Sequence, residues 1–169
     1  MPGVICDSKP IATGIVVSAR ANRVLSFLEG CAGAPEKAVE LIYRRYFRRS
    51  LKILRGAGYV RRCWCSGQNP LWVPLNYDVP RNLNEYLGRS ALGWLAARMV
   101  QAGGDFVQGV AVFPNGNRYQ VVLYPPADNY NGSILVVSLN GERPSACKGF
   151  WVDYNELREK ELKYCLKVL

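Results

Sequence analysis

The 169-residue chain contains no histidine. That absence removes the commonest general acid–base and both the Ser-His and Cys-His nucleophile pairs. It also takes away the usual nitrogen ligand of zinc sites. Neither G-x-x-x-x-G-K-[ST] nor G-x-G-x-x-G occurs, so neither phosphate-cradling glycine loop is present. No apolar run approaches the roughly 20 residues that span a bilayer. Met1 to Asp7 lacks a basic segment leading into an apolar stretch, so no signal peptide is read. The sequence is therefore read as a soluble cytoplasmic protein that does not engage a membrane, with no catalytic residue, no cofactor and no metal ligand assigned.

The six cysteines include no C-x-x-C spacing. Cys6, Cys31, Cys147 and Cys165 stand alone, while Cys63 and Cys65 would share one face of a strand. They are expected as reduced, packed thiols, which behave as small apolar side chains. A metal half-site at Cys63 and Cys65 is the alternative.

Acidic residues are scarce in the first half. Residues 1–75 carry 12 Lys and Arg against 4 Asp and Glu, and residues 76–169 carry 10 against 9; together these make the chain's 22 and 13. Nearly all of the +9 net charge thus lies in the first part, an asymmetry that points to a polyanionic partner for that part.

Local signals organise this half. Ile15–Val17 reads as a short strand. Ser18 is a helix N-cap before 19–29, with Gly30 in the place of a C′ glycine. Pro35 is placed at the first position of a second helix through Leu41. From Arg44 to Arg55 the pattern predicts a strongly amphipathic third helix: Tyr43, Phe47, Ser50, Leu51 and Leu54 fall on one side. Arg44, Arg45, Arg48, Arg49, Lys52 and Arg55 fall on the other. Like charges four residues apart destabilise a bare helix by a few tenths of a kcal/mol, about 0.3 each. Their repetition points to phosphates as the partner; a solvated basic face, or attraction to an anionic membrane surface, is the alternative. Gly58 ends the helix, and Tyr59–Cys65, a Ser66–Pro70 turn and Leu71–Leu75 form a hairpin.

This order of helix, helix, basic helix, glycine and hairpin resembles the winged-helix family of DNA-binding domains, over residues 15–76. Leu51-x-x-Leu54-x-x-x-Gly58-Tyr59-Val60-Arg61-Arg62 is similar to that family's exit from recognition helix into wing. The resemblance implies that Arg44, Arg45, Arg48, Arg49 and Lys52 contact phosphates and base edges of duplex DNA. It also implies that Arg61, Arg62 and Gln68 are wing contacts. Most such contacts position the protein on DNA rather than specify sequence. The span from Pro35 to Gly58 is short for two helices and a turn, and a single continuous helix would alter the groove-reading geometry.

Residues 77–81 read as a linker between domains 1–76 and 77–169. A helix from Asn82 or Asn84 to about Ala102 follows, rich in small residues that permit close packing. Asn115-Gly116 joins strands 110–113 and 119–124 as a hairpin, and Pro125 to Gly132 is a polar loop. Ile134–Leu139 is a strand buried on both faces, Phe150–Val152 is another, and Asp153 caps a helix from Tyr154 to Lys167. The fold class expected is α+β, a winged-helix domain followed by a small α+β domain with a mostly antiparallel sheet. This second part weakly resembles the restriction-nuclease-like domain of plasmid replication-relaxation proteins. Such nucleases hold Mg²⁺ with an acid on one strand and D/E-x-K on the next, whereas the candidate strands here carry no carboxylate; Glu85 and Asp105 are isolated acids.

The reading is a non-catalytic DNA-binding regulator of transcription or of plasmid- or phage-type replication, whose second domain serves self-association as a homodimer or partner contact. Three alternatives stay open. One is a metal-dependent nuclease using Glu85 or Asp105. Another is an RNA binder stacking bases on Tyr46, Trp64 and Trp72. The third is a winged helix that contacts only protein.

Overall fold

A computed structural model describes residues 3–125, 133–145 and 148–169. Cys147 and most of the loop read at 125–132 lie outside the described residues. The chain divides into two compact units, 1–93 and 94–169, each with its own sheet. The architecture is α+β.

The first unit runs β1 (Val4–Cys6), α1 (Ala19–Cys31), β2 (Ala34–Pro35), α2 (Glu36–Tyr43), α3 (Phe47–Gly56), β3 (Val60–Cys65) and β4 (Leu71–Pro74). Its four-stranded sheet has the order β1-β3-β4-β2. The Ser18 hydroxyl accepts the Ala21 N–H at 3.2 Å and starts α1 as expected. The helix continues beyond Glu29 through Gly30 and Cys31, and stops at Ala32, which is left-handed. Ala21, Val24, Leu28 and Cys31, at helical spacing, are its buried stripe. Burial pushes the Cys31 thiol up to about 12, which leaves it a packing group rather than a nucleophile.

Two strands differ from the sequence reading. Ile15–Val17 belongs to no strand, and Ile15 and Val17 are exposed; Val4–Cys6 pairs with β3 instead. Pro35 sits in β2, opposite Leu71, and precedes α2 in extended conformation rather than opening it. Lacking a side-chain cap, α2 finds its first acceptors on the β3–β4 turn. The Pro70 carbonyl takes the Glu36 N–H at 2.8 Å and Asn69 Oδ1 takes the Lys37 N–H at 3.0 Å.

The β1–β3 pairing corrects the reading of the cysteines. Cys6 and Cys63 stand opposite each other with Cα atoms 4.0 Å apart and form a disulfide. Their separation of 57 residues carries no spacing signal, because only the long-range pairing of β1 brings them together. Among the described residues Cys31, Cys65 and Cys165 are buried thiols.

The first unit extends beyond 76 because Tyr77, Val79, Leu83 and Tyr86 pack on a core of Cys63, Cys65, Leu71 and Val73. The division falls inside α4 (Leu83–Gln101), between Gly93 and Trp94. Asn82 Oδ1 accepts the Glu85 N–H at 2.9 Å at the start of this helix. Gly93 lets it approach β2 closely: a Cβ there would stand 2.6 Å from the Ala34 Cα.

The second unit carries β5 (Asp105–Val107), β6 (Val110–Val112), β7 (Arg118–Tyr124), β8 (Ile134–Ser138), β9 (Gly149–Asp153), α5 (Tyr154–Glu159), α6 (Leu162–Cys165) and β10 (Lys167–Val168). The six strands lie in the order β10-β9-β8-β7-β6-β5. The pairings β5–β6, β6–β7 and β9–β10 are antiparallel, and β8 runs parallel to both β7 and β9. Every residue of β8 is buried, which suits its continuous apolar run. The helix read from 154 to 167 is broken at Lys160, which is extended. The break lets Lys160 and Lys167 converge on Glu156, with Nζ–O distances of 3.0 and 2.6 Å. On one unbroken helix Glu156 and Lys167 would lie about 16 Å apart along the axis.

Candidate nucleic-acid interface

The basic segment is not one helix. Arg44, Arg45 and Tyr46 form a turn, and α3 begins at Phe47. The apolar pattern requires this break. On one continuous helix the buried pair Ala38 and Val39 would face roughly 120° away from the stripe of Phe47, Ser50, Leu51 and Leu54. An aromatic cluster fixes the turn: Tyr43 packs edge-on against Phe27 of α1, with ring centroids 6.0 Å apart, and lies 5.6 Å from Tyr46. The Tyr46 N–H then closes the turn on the Tyr43 carbonyl at 2.9 Å.

Arg44 and Arg45 therefore belong to the turn before α3, and the repulsive pairs Arg44/Arg48 and Arg45/Arg49 are not helical pairs; Arg48/Lys52 is one. The charge is still gathered in one place. Arg44, Arg45, Arg48 and Arg49 line a cleft of about 410 Å³ with Glu40, Tyr46 and Phe47. A second cleft of about 200 Å³ lies between Arg48, Leu51, Lys52 and Arg55 of α3, Glu36 of α2 and Trp72 of β4. Arg48 lines both. Glu36 Oε2 accepts the Trp72 indole N–H at 3.0 Å and so fixes that ring.

Arg44, Arg45, Arg48, Arg49 and Lys52 are all exposed. None of the five has an ion-pair partner among the described residues. Of the five, Arg48 alone makes an aromatic contact among the described residues, 5.5 Å from the centroid of the Phe47 ring.

The remaining predicted contacts divide differently. Arg55, also exposed, is already neutralised: its Nε and Nη2 donate to the two carboxylate oxygens of Asp7 at 2.8 and 2.6 Å. Arg61 is buried, with its Nη2 donating to the Tyr77 carbonyl and its Nε without a partner among the described residues. It faces the protein and is withdrawn from the surface. Arg62 is half-buried, its guanidinium 6.0 and 5.9 Å from the Trp64 and Trp72 ring centroids. Gln68 is exposed in the β3–β4 turn.

Sequence reasoning missed Asp7, because a carboxylate 48 positions from Arg55 leaves no local trace. It also missed Glu36 and Arg20, the latter 5.4 Å from the Tyr46 ring centroid. Trp64 is 38% exposed and stands opposite Ile5, itself 56% exposed, on the outer side of the sheet. Glu85 and Asp105 are both used locally. Glu85 accepts the Arg81 N–H at 2.9 Å, and Asp105 accepts the Phe106 N–H at 2.8 Å. Among the described residues no group of three His, Cys, Asp or Glu side chains could hold a metal ion, and no helix is long and apolar enough to cross a membrane.

Comparison with protein-family models, curated proteins and solved structures finds no match to this chain.

Proposed function

We propose that the first unit is a winged-helix module that binds the phosphate backbone of duplex DNA, and that the protein is a non-catalytic regulator of transcription or of plasmid- or phage-type replication. The observation that carries this reading is the set of five exposed cations, Arg44, Arg45, Arg48, Arg49 and Lys52, on α3 and the turn before it, which have no carboxylate partner among the described residues. Packing so many like charges costs free energy in the isolated protein, and a polyanion removes that cost by replacing mobile counterions. The element order supports the same reading: helix, short strand, helix, turn, basic helix and two-stranded hairpin accord with the winged-helix resemblance.

Arg55, Arg62 and Gln68 stand around this surface in secondary roles, and Arg61 has none. Arg44 and Arg45, placed on a turn, are phosphate contacts. Arg48, Arg49 and Lys52, on the exposed side of a helix, contact phosphates as well and are the ones placed to reach base edges. The second unit serves self-association as a homodimer or contact with a partner. A cytoplasmic setting follows from access to DNA. The Cys6–Cys63 disulfide counts against that setting, because such bonds persist mainly in oxidising compartments.

The test is competition. Labelled duplex DNA bound to the full chain is challenged with unlabelled duplex, structured RNA or polyglutamate, and then incubated with Mg²⁺. The reading predicts that duplex competes best and emerges intact. More effective displacement by RNA would make the protein an RNA binder, displacement by polyglutamate alone would make α3 a docking surface for acidic protein, and cleavage would make it a nuclease.

A further inference from the structure

In the second unit, Arg98 in the last turn of α4 is 6% exposed, yet it has no carboxylate partner among the described residues. Its guanidinium is held in place by neutral groups. Nε donates to the Leu157 carbonyl at 2.8 Å, Nη1 donates to Gln101 Oε1 at 2.8 Å, and the plane lies 5.6 Å from the Trp94 ring centroid. These contacts meet hydrogen-bonding needs and fix the orientation, but no carboxylate among the described residues pairs directly with the buried charge, and Glu161 acts on it only through space. That arrangement is costly unless an anion completes it. Burial correspondingly pushes Arg98 down from the usual arginine range.

The charge borders open space. Arg98, Gln101, Ala102, Glu161, Leu162 and Lys163 line a cleft of about 270 Å³. Two of these side chains are cationic and one anionic. The anionic one, Glu161, is engaged by Lys163 at 3.2 Å, with both side chains more than half exposed. The cleft is thus lined by one buried cation, one exposed cation and the Gln101 side chain. It is smaller than the roughly 300–1,000 Å³ of sites for drug-sized ligands.

We propose that this cleft is a binding site for a small oxyanion, a carboxylate or phosphate group on a compact molecule, with Arg98 as the fixed counter-charge and Lys163 and Gln101 completing its coordination. The planar guanidinium supplies directed donors to such a group. Lys163 turns from Glu161 to the ligand on binding. The site is independent of the nucleic-acid reading of the first unit, and its ligand is a candidate effector of the protein.

The experiment titrates the full-length, isotope-labelled chain with inorganic phosphate and, separately, with acetate, at ionic strength held constant with chloride. Backbone amide resonances are followed residue by residue, so that binding at the arginines of residues 44–49 is read separately. The expected result is a saturating shift at Arg98, Gln101, Ala102 and residues 161–163 with at least one of the two anions. The exposed-side-chain variants Lys163→Ala and Glu161→Gln leave Arg98 and its packing intact. Lys163→Ala should weaken binding about fivefold, and Glu161→Gln, which removes the competing carboxylate, should tighten it by a similar factor. A purely structural Arg98 would show no saturating shift with either anion. That outcome, or saturation unaltered by both substitutions, overturns the proposal.

Discussion

Asp7 clamps Arg55 from 48 positions away in the chain, its two carboxylate oxygens receiving the Arg55 Nε and Nη2 donors at 2.8 and 2.6 Å. The same Oδ2 accepts the backbone N–H of Arg62 at 2.8 Å. One carboxylate therefore ties the segment after β1 to α3 and β3 while cancelling a charge at the edge of the basic surface. Replacing it separates the two effects. Asp7→Asn should lower stability by about 1 kcal/mol, the scale of a partly exposed charge-assisted pair. It should also free Arg55 for phosphate and steepen the salt dependence of DNA binding by about 0.9 in log–log slope. Denaturant melts and salt titrations of this variant check both; an unchanged slope would show that Arg55 lies outside the contact surface.

Arg61 provides the converse case. Because its side chain is buried and bonded to the Tyr77 carbonyl, Arg61→Ala should destabilise the fold by about 2 kcal/mol through the unpaired acceptor and lost packing. Its salt slope for DNA should equal that of the wild type at temperatures where both are folded. Arg48→Ala should behave oppositely, with a melting temperature close to wild type and a shallower slope.

The Cys6–Cys63 bond closes a loop of 57 residues. The chain-entropy estimate for a loop of that length is about 4 kcal/mol, and measured contributions typically fall between about 2 and 4. Cys6→Ser with Cys63→Ser should lower stability by that amount. Urea melts with and without a thiol reductant check it: reductant should shift the wild type and leave the double variant unmoved.

Glu156 makes a pH-dependent contribution in the second unit. Hydrogen bonds from Lys167 and Lys160 hold its carboxyl below the usual glutamate range. A lowered folded-state value means the stabilisation is fully present above the unfolded value, near 4.3, and is lost as pH falls through the folded one. Glu156→Gln should therefore be less stable than wild type by roughly 0.5–1 kcal/mol at pH 7. The gap should close as acid protonates the wild-type carboxyl. Thermal melts from pH 7 to pH 2 test this, and a gap that stays constant would contradict it.

Local signals carried much of the fold. Ser18 capping α1, the small-residue helix after Asn82, the Asn115-Gly116 hairpin and the doubly buried strand read at 134–139 are each written in consecutive residues, and each stands within about a residue of where the sequence placed it. What escaped depends on distant pairing. β1 and β2 are three and two residues long and become strands only because β3 and β4 offer them backbone partners. The disulfide and the Asp7 clamp follow from that same pairing. At the candidate interface the charge pattern was legible, but the break at Arg44–Tyr46 was not. Tyr43 and Tyr46 are amphipathic residues whose choice of side is made by Phe27 of α1. Alternation along β3 could not assign Arg61, since both it and its neighbour Val60 are buried.

A phosphate-contacting surface on α3 and the turn before it should show itself in the slope of affinity against salt. A labelled random-sequence duplex is titrated with wild type and with the quadruple variant Arg45→Ala, Arg48→Ala, Arg49→Ala, Lys52→Ala at several salt concentrations. Wild type should show a steep linear fall of log affinity with log salt, and the variant a slope shallower by about 3.6, near 0.9 for each cation removed. Folded wild type that fails to bind even at low salt, or a slope that survives the four substitutions, would contradict the phosphate-contacting reading.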